Sequence, residues 1–221
     1  MHGIAVIELK GYREWTESLG PRREHIIQQI QAKLHATLWK SFTTVGALPH
    51  HFRYDFFIAL VNNISSAAVE SAVAKIARHS PVPIDFCIGT GDTPYSAYLN
   101  CRGKEVEATS FSIVAHMDIV NSTKTTKLNG PLDVYSHIVR LIDTLLDVCK
   151  EYGCLVFYLG GDNTALFLPT PDVINEIVRN IDTRVRVGVG VAKKPYNAFV
   201  KATRGLDYLR STNREGIKIV K

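Results

Sequence analysis

Thr93-Pro94-Tyr95-Ser96-Ala97-Tyr98, followed by Arg102-Gly103, recurs as Lys194-Pro195-Tyr196-Asn197-Ala198-Phe199, followed by Arg204-Gly205. The prolines are 101 residues apart and the arginines 102. Working outward, Tyr54-Asp55-Phe56 aligns with Gly161-Asp162-Asn163 at an offset of 107, and Leu9-Lys10 with Met117-Asp118 at 108. A period this long marks a duplicated domain rather than a solenoid unit. The 221 residues therefore divide into two halves of ordinary domain size, 1–109 and 110–221, with the boundary expected near 107–110.

Each half reads as β-α-β-β-α-β with a trailing helix. In the first, Ile4–Ile7 opens as a strand, and Pro21 starts a helix to about Thr37 with Ile26, Ile27, Ile30 and Leu34 at core spacing. Strands follow around 44–53 and 56–61. Ser65 or Ser66 caps the next helix, 84–89 is a strand, and Pro94 opens the last helix. In the second half, 111–119 is a strand. Pro131 opens a helix to Glu151 whose Ile138, Leu141, Ile142, Leu145 and Leu146 share one face. Strands at 155–159 and 164–168 flank the turn Gly160-Gly161-Asp162-Asn163. Pro171 opens a short helix, 185–191 is a strand, and Pro195 opens the final helix. The order predicts an α+β fold of two tandem ferredoxin-like domains, antiparallel sheets with helices on one face.

Net charge is +5, and 46% of residues are hydrophobic. That suits a globular protein able to concentrate anions such as nucleotides. Lys and Arg are dispersed, so no nucleic-acid-binding arm is expected. No apolar run reaches membrane length and no signal pattern opens the chain. The chain thus reads as cytoplasmic, with no membrane or nucleic-acid partner. Cys87, Cys101, Cys149 and Cys154 form no Cys-x-x-Cys pair, so a structural zinc site is not expected. They read as reduced, buried thiols.

The chemistry concentrates in the second half. Asp118 ends an apolar strand, and Asp162 lies in a turn whose strands flank that strand in this topology. Converging carboxylates repel and are costly to bury without a cation. Mg²⁺ prefers oxygen and takes one or two protein carboxylates, and a pair of such ions can clamp a phosphoryl displacement. Gly160 and Gly161 allow a tight turn and leave room for a triphosphate. A plain hairpin turn is the alternative. Asn121, Ser122 and Thr123 precede a helix and can present amides and hydroxyls to phosphate. Lys193, Lys194 and Arg204 are candidate phosphate contacts or solvated surface charges. His116 shares its sheet face with Asp118 and reads as a proton carrier, a supporting partner or a packed core residue. In the first half Lys10 stands opposite Asp118, so Lys10 is expected to replace a metal by pairing with Asp55.

His116-Met117-Asp118-Ile119, Leu159-Gly160-Gly161-Asp162-Asn163 and Gly188-Val189-Gly190-Val191 resemble the second half of archaeal GTP cyclohydrolase III. Gly11-Tyr12, Trp15-Thr16 and Pro21-Arg22-Arg23-Glu24 resemble its start. The resemblance runs essentially end to end. It implies duplicated palm domains, related to those of nucleotidyl cyclases, acting on GTP. It further implies opening of the guanine imidazole ring to a formylamino-pyrimidine ribosyl monophosphate with release of the outer phosphates, as in flavin and deazaflavin synthesis. Mg²⁺ and K⁺ or a similar monovalent ion are implied with it; a homo-oligomer is expected, without its size being fixed by the sequence. The resemblance assigns metal binding to Asp118, Asp162 and the main-chain oxygen of Ile119, and leaves Arg22, Arg23 and Glu24 as ligand or interface contacts. Where the family carries Asp-Asn-Tyr, this chain has Lys10-Gly11-Tyr12, so the working site is expected in the second half. The alternatives are a nucleotidyl cyclase-like enzyme, or a nucleotide sensor that binds without reacting.

Overall fold

The computed structural model describes residues 1–105 and 108–221. The expected boundary between the halves therefore falls partly outside the described residues. The first half contains β1 (His2–Leu9), α1 (Tyr12–Ser18), α2 (Glu24–Val45), β2 (Leu48–Arg53), β3 (Phe56–Leu60), α3 (Ser66–Ala77), β4 (Ile84–Gly91) and α4 (Pro94–Leu99). The second contains β5 (Ser112–Ile119), α5 (Ser122–Asn129), α6 (Pro131–Glu151), β6 (Leu155–Gly160), β7 (Asn163–Leu168), α7 (Val173–Arg179), β8 (Val185–Ala192), α8 (Pro195–Ser211) and β9 (Gly216–Val220). The strand orders are β2-β3-β1-β4 and β6-β7-β5-β8-β9. Each is the predicted antiparallel arrangement, with β9 added parallel to β8 at the second sheet's edge.

α2 and α6 each pack a stripe onto one face of their sheet. On α6 the stripe is Val134, Ile138, Leu141, Leu145 and Cys149, at the three- and four-residue spacing of one helix face. Leu146, expected on that stripe, is exposed, as is Ile26 on α2. Successive β5 side chains point to opposite faces. Ala115 and Met117 join the α6 and α7 core, while Val114 joins a second cluster with Ile4, Ile58, Ala97, Phe157, Phe167 and Ala198. That second cluster draws on both halves, which explains why β5 is buried on both faces. The trailing helices α4 and α8 lie over this face. At Gly188 of β8 an added Cβ would stand 1.9 Å from the Ala202 oxygen of α8, so glycine sets how closely helix and strand approach.

Two boundaries differ from expectation for a local reason. α2 continues to Val45, through residues whose β-branched side chains suggest a strand. The hydroxyls of Thr43 and Thr44 donate to the carbonyls of Trp39 and Lys40 at 2.7 and 2.6 Å, which satisfies them within a helix. α1 and α5 bury no residue, so neither shows an apolar period. Cys87 and Cys101, expected as free thiols, form a disulfide that joins β4 to the segment after α4. Cys149 and Cys154 are free and buried. Among the described residues no helix is long and apolar enough to cross a membrane.

Candidate active site

Asp118 stands at the end of β5, 3% exposed, on the face that α8 covers. Its Oδ2 accepts a 2.7 Å hydrogen bond from Arg210 Nε on the last turn of α8. Arg186, paired across the ladder on β8, lies 3.9 Å from Oδ1. Oδ1 itself is buried with no hydrogen-bond partner. Burial pushes the Asp118 carboxyl above its usual range, Arg210 pulls the other way, and the charge of Asp162 adds to the rise.

Asp162 sits in the turn between β6 and β7, where Gly160 pairs with Asn163. Gly160 and Gly161 have φ of 110° and 61°, a conformation other residues rarely take. Ser122 Oγ donates to Asp162 Oδ2, and Asn163 Nδ2 donates to Asp162 Oδ1 at 3.0 Å. Asn163 Oδ1 accepts from Arg210 Nη2 at 2.9 Å and lies 3.1 Å from His116 Nε2. A continuous network thus links Asp118, Arg210, Asn163, Asp162 and Ser122. The other nitrogen of His116 is 3.1 Å from Thr203 Oγ1. Burial, then the charge of Arg210, lowers the His116 pKa, so the ring is neutral at pH 7. With both nitrogens engaged, His116 braces Asn163 in this arrangement rather than facing the cleft.

Asp118, Asp162, Asn121, Ser122 and Thr123 line one cleft of about 550 Å³ together with Lys124, Lys127, Arg186 and Arg210. A second cavity of about 540 Å³ shares Ser122, Thr123, Lys127 and Asp162 and continues between Pro131, Val134, Tyr135 and Tyr158. One end is cationic and polar, the other apolar and aromatic. Tyr158 donates its hydroxyl to Gly161 O at 3.0 Å, which holds the ring against the turn.

Other expected residues lie elsewhere. Lys193 and Lys194 follow Ala192, which pairs with Ser112 at the opposite end of β5. Six residues of strand, roughly 20 Å, separate that end from Asp118. There the Lys193 carbonyl accepts from Ser112 and Asn63. Arg204 is exposed on α8, and none of the three lines the cleft. Arg210 takes the place Arg204 was expected to fill. Arg186, Lys124, Lys127, Tyr135 and Tyr158 had no motif to announce them, although the ladder position of Arg186 beside Asp118 follows from pairing β5 with β8. Ile119 has its side chain in the core, so only its main-chain oxygen could face a ligand.

The first half requires a correction of register. Asp118 pairs with Arg186 and Ile119 with Val185, while Glu8 pairs with Asp85 and Leu9 with Ile84. The counterpart of Asp118 is therefore Glu8, not Lys10. Lys10 bonds Glu8 at 2.5 Å, and Asp55 receives two hydrogen bonds from Arg53. The expected Lys10–Asp55 pair does not form. Glu8 and Asp55 are instead each paired with a cation two residues away.

The donors at Asp118 suit a hard cation. The Asp118 Oδ1 atom is a buried carboxylate oxygen without a donor, Asp162 is held by neutral donors only, and hard divalent ions need few protein carboxylates. Among the described residues no group of three or more His, Cys, Asp or Glu converges on a point.

The profile of the GTP cyclohydrolase III family matches residues 1–104 and again 99–221. The chain is 63% identical to a GTP cyclohydrolase III of Pyrobaculum neutrophilum and 60% identical to one of Pyrobaculum aerophilum, in both cases over all of each chain. It is 29% identical to one of Aeropyrum pernix, over 99% of this chain and 96% of that protein. Among solved structures, a GGDEF domain from Pseudomonas aeruginosa covers half of the chain at 16% identity, with a TM-score of 0.45 and 83% of that domain covered.

Proposed function

Since the chain belongs to the GTP cyclohydrolase III family of enzymes, we propose that it hydrolyses GTP at the guanine imidazole ring and at the phosphoanhydrides. The product is a formylamino-pyrimidine ribosyl monophosphate. Water splits the bond between the formyl carbon and the ring nitrogen that carries the ribose. Further water releases the two outer phosphates.

The observation that carries this reading is the joined cleft. One end has four cations around two carboxylates, and the other has two tyrosine rings and aliphatic walls. The polar end suits a triphosphate and the aromatic end suits a purine. Lys124, Lys127, Arg186 and Arg210 offset the charge of the phosphates. Thr123 and the start of α5 offer a hydroxyl and amides to phosphate oxygens. Asn163, braced by His116, holds Arg210 and Asp162 in mutual register. Asp118, Asp162 and the Ile119 carbonyl would hold Mg²⁺. Once bound, the ion would supply positive charge against the phosphate oxygens and make water easier to ionise.

The experiment is incubation of the protein with GTP, Mg²⁺ and K⁺, followed by mass analysis of the products. The ring-opened monophosphate with inorganic phosphate is expected. A cyclic nucleotide with intact pyrophosphate would replace this reading with that of a cyclase, and unreacted GTP with that of a sensor.

A further inference from the structure

The edge strands of the two sheets, β2 and β6, meet at a cavity separate from the cleft that holds Asp118. It measures about 600 Å³ and is walled by His35 and Trp39 of α2, His50 and His51 of β2, Tyr54 and Phe199. Residues 158–160 of β6 complete it. Among the described residues no Lys, Arg, Asp or Glu lines it. His51 and Tyr54 stack with ring centroids 4.6 Å apart and planes 16° from parallel, and Trp39 stands 6.4 Å from Phe199. Uncharged walls made of rings suit an uncharged, flat ring system.

Two polar atoms of these walls lack partners. His50 is 4% exposed, and its Nε2 lies 2.6 Å from the Tyr158 carbonyl, which can only accept. Burial first, then His51, lowers the pKa of His50 to about 3, so the ring is neutral at pH 7. Its one N–H is therefore at Nε2, and Nδ1 carries a lone pair. That Nδ1 is buried with no hydrogen-bond partner, and so is Nε1 of Trp39, which can only donate. The two rings are 6.5 Å apart. Buried polar groups are almost always satisfied, so a pair left open in one wall calls for an explanation. The fold does not require them. An offset of 107 equates Leu48 with Leu155 and Leu38 with Leu145. At that offset His35, Trp39, His50 and His51 stand where the second half has Ile142, Leu146, Phe157 and Tyr158. No ring nitrogen occurs at any of those four positions.

We infer that this cavity binds a purine base, free or as its nucleoside. A purine carries an acceptor beside an N–H donor on one edge, so a single molecule can accept from Trp39 Nε1 and donate to His50 Nδ1. Its faces stack among the surrounding rings. A phosphate would meet no cation in these walls, so the ligand is not a nucleotide and the cavity is not a second triphosphate site. The occupant borders the framework of the cleft. Gly160 belongs to the Asp162 turn, and Phe199 lies 5.1 Å ring to ring from His116. The binding itself does not rest on the proposed reaction.

The chain has two tryptophans, so Trp15→Phe leaves Trp39 as a fluorescent reporter in the cavity wall. That protein is titrated with adenine, hypoxanthine and their nucleosides. Saturable quenching by at least one of the four is expected. In the same background His50→Gln and His50→Phe each raise the dissociation constant about tenfold, the worth of one hydrogen bond, while circular dichroism stays that of the parent. Gln keeps a donor for the Tyr158 carbonyl and Phe is the residue of the duplicate, so the test does not hang on the folding of one variant. Quenching that rises without saturation for all four ligands overturns the inference, as do dissociation constants that neither exchange alters. A nucleoside monophosphate that binds about tenfold tighter than its nucleoside overturns the uncharged site, because it would reveal a cation that these walls do not hold.

Discussion

Arg210 Nε donates to Asp118 Oδ2 at 2.7 Å, so in the free protein a guanidinium from α8 holds one oxygen of this buried carboxylate while the other has no hydrogen-bond partner. Removing the charge should therefore cost the fold little and the ligand much. Asp118→Asn is expected to melt within a few degrees of wild type without divalent ions. Mg²⁺ at a hundredfold excess over its dissociation constant should stabilise wild type by about 2.7 kcal/mol and leave Asp118→Asn unmoved. Thermal unfolding with and without Mg²⁺ reads both. An equal Mg²⁺ shift in the two proteins would remove Asp118 from the proposed ligand set.

Arg210→Gln is the complementary case. It leaves Asp118 with neither oxygen bonded, which should cost roughly 2 kcal/mol, moderated because Arg210 is partly exposed. Mg²⁺ should recover most of that loss by taking over the neutralising role. Denaturant unfolding of this variant at increasing Mg²⁺ measures the recovery, and a loss that Mg²⁺ does not touch would speak against a cation beside Asp118.

At Gly190 the contact is equally close. An added Cβ would meet the Ala198 oxygen at 1.9 Å. Gly190→Ala must push α8 from β8, and α8 carries Arg210. We expect a loss of about 3 kcal/mol, a fall in melting temperature on the order of 10 °C, and weakened turnover of GTP in the protein that remains folded. Gly103→Ala is the control, since nothing lies within 4 Å of its added Cβ and its φ is not positive.

The parts of this site that could be read from sequence are those set by local rules. The Asp162 turn declared itself by its glycines, and Asp118 by ending an apolar strand in the right half of a repeat. Arg210 stayed hidden because its approach to Asp118 spans 92 residues and depends on the crossing of α8 over β5. The repeat misled at Lys10, since aligning by residue type slipped the register that pairing with β4 corrects to Glu8. Lys193 and Lys194, candidate phosphate contacts or surface charges at the opening of the last helix, lie at the end of β5 far from Asp118, and composition does not say which end of an antiparallel strand a following loop joins.

The histidines of the first half predict a pH response. His50 is buried, donates from Nε2 to the Tyr158 carbonyl at 2.6 Å, and has its pKa lowered to about 3, first by burial and then by His51. His51 is lowered to about 4 by burial and then by His35. In the unfolded chain these groups titrate near 6.5. Their contribution is therefore fully present above pH 6.5. It is lost as pH falls from 6.5 toward 3, where the unfolded chain takes up a proton that folded His50 refuses. For His50 the slope is about 1.4 kcal/mol per pH unit. Urea unfolding between pH 7 and 4.5 should show wild type losing stability faster than His50→Gln by about that slope. Parallel curves would show that His50 is not held neutral.

The Cys87–Cys101 bridge closes a loop with a sequence separation of 14. Closing a loop of this length restricts the unfolded chain by about 3 kcal/mol. Cys87→Ala with Cys101→Ala should therefore lower the melting temperature by roughly 6–12 °C. Neither cysteine lines the cleft between Asp118 and Tyr158, so GTP turnover by the folded variant should match wild type. Alkylation of the protein unfolded without reductant reads the bond directly. Cys149 and Cys154 should react while Cys87 and Cys101 stay protected, and modification of all four would mean that β4 and the segment after α4 are held by packing alone.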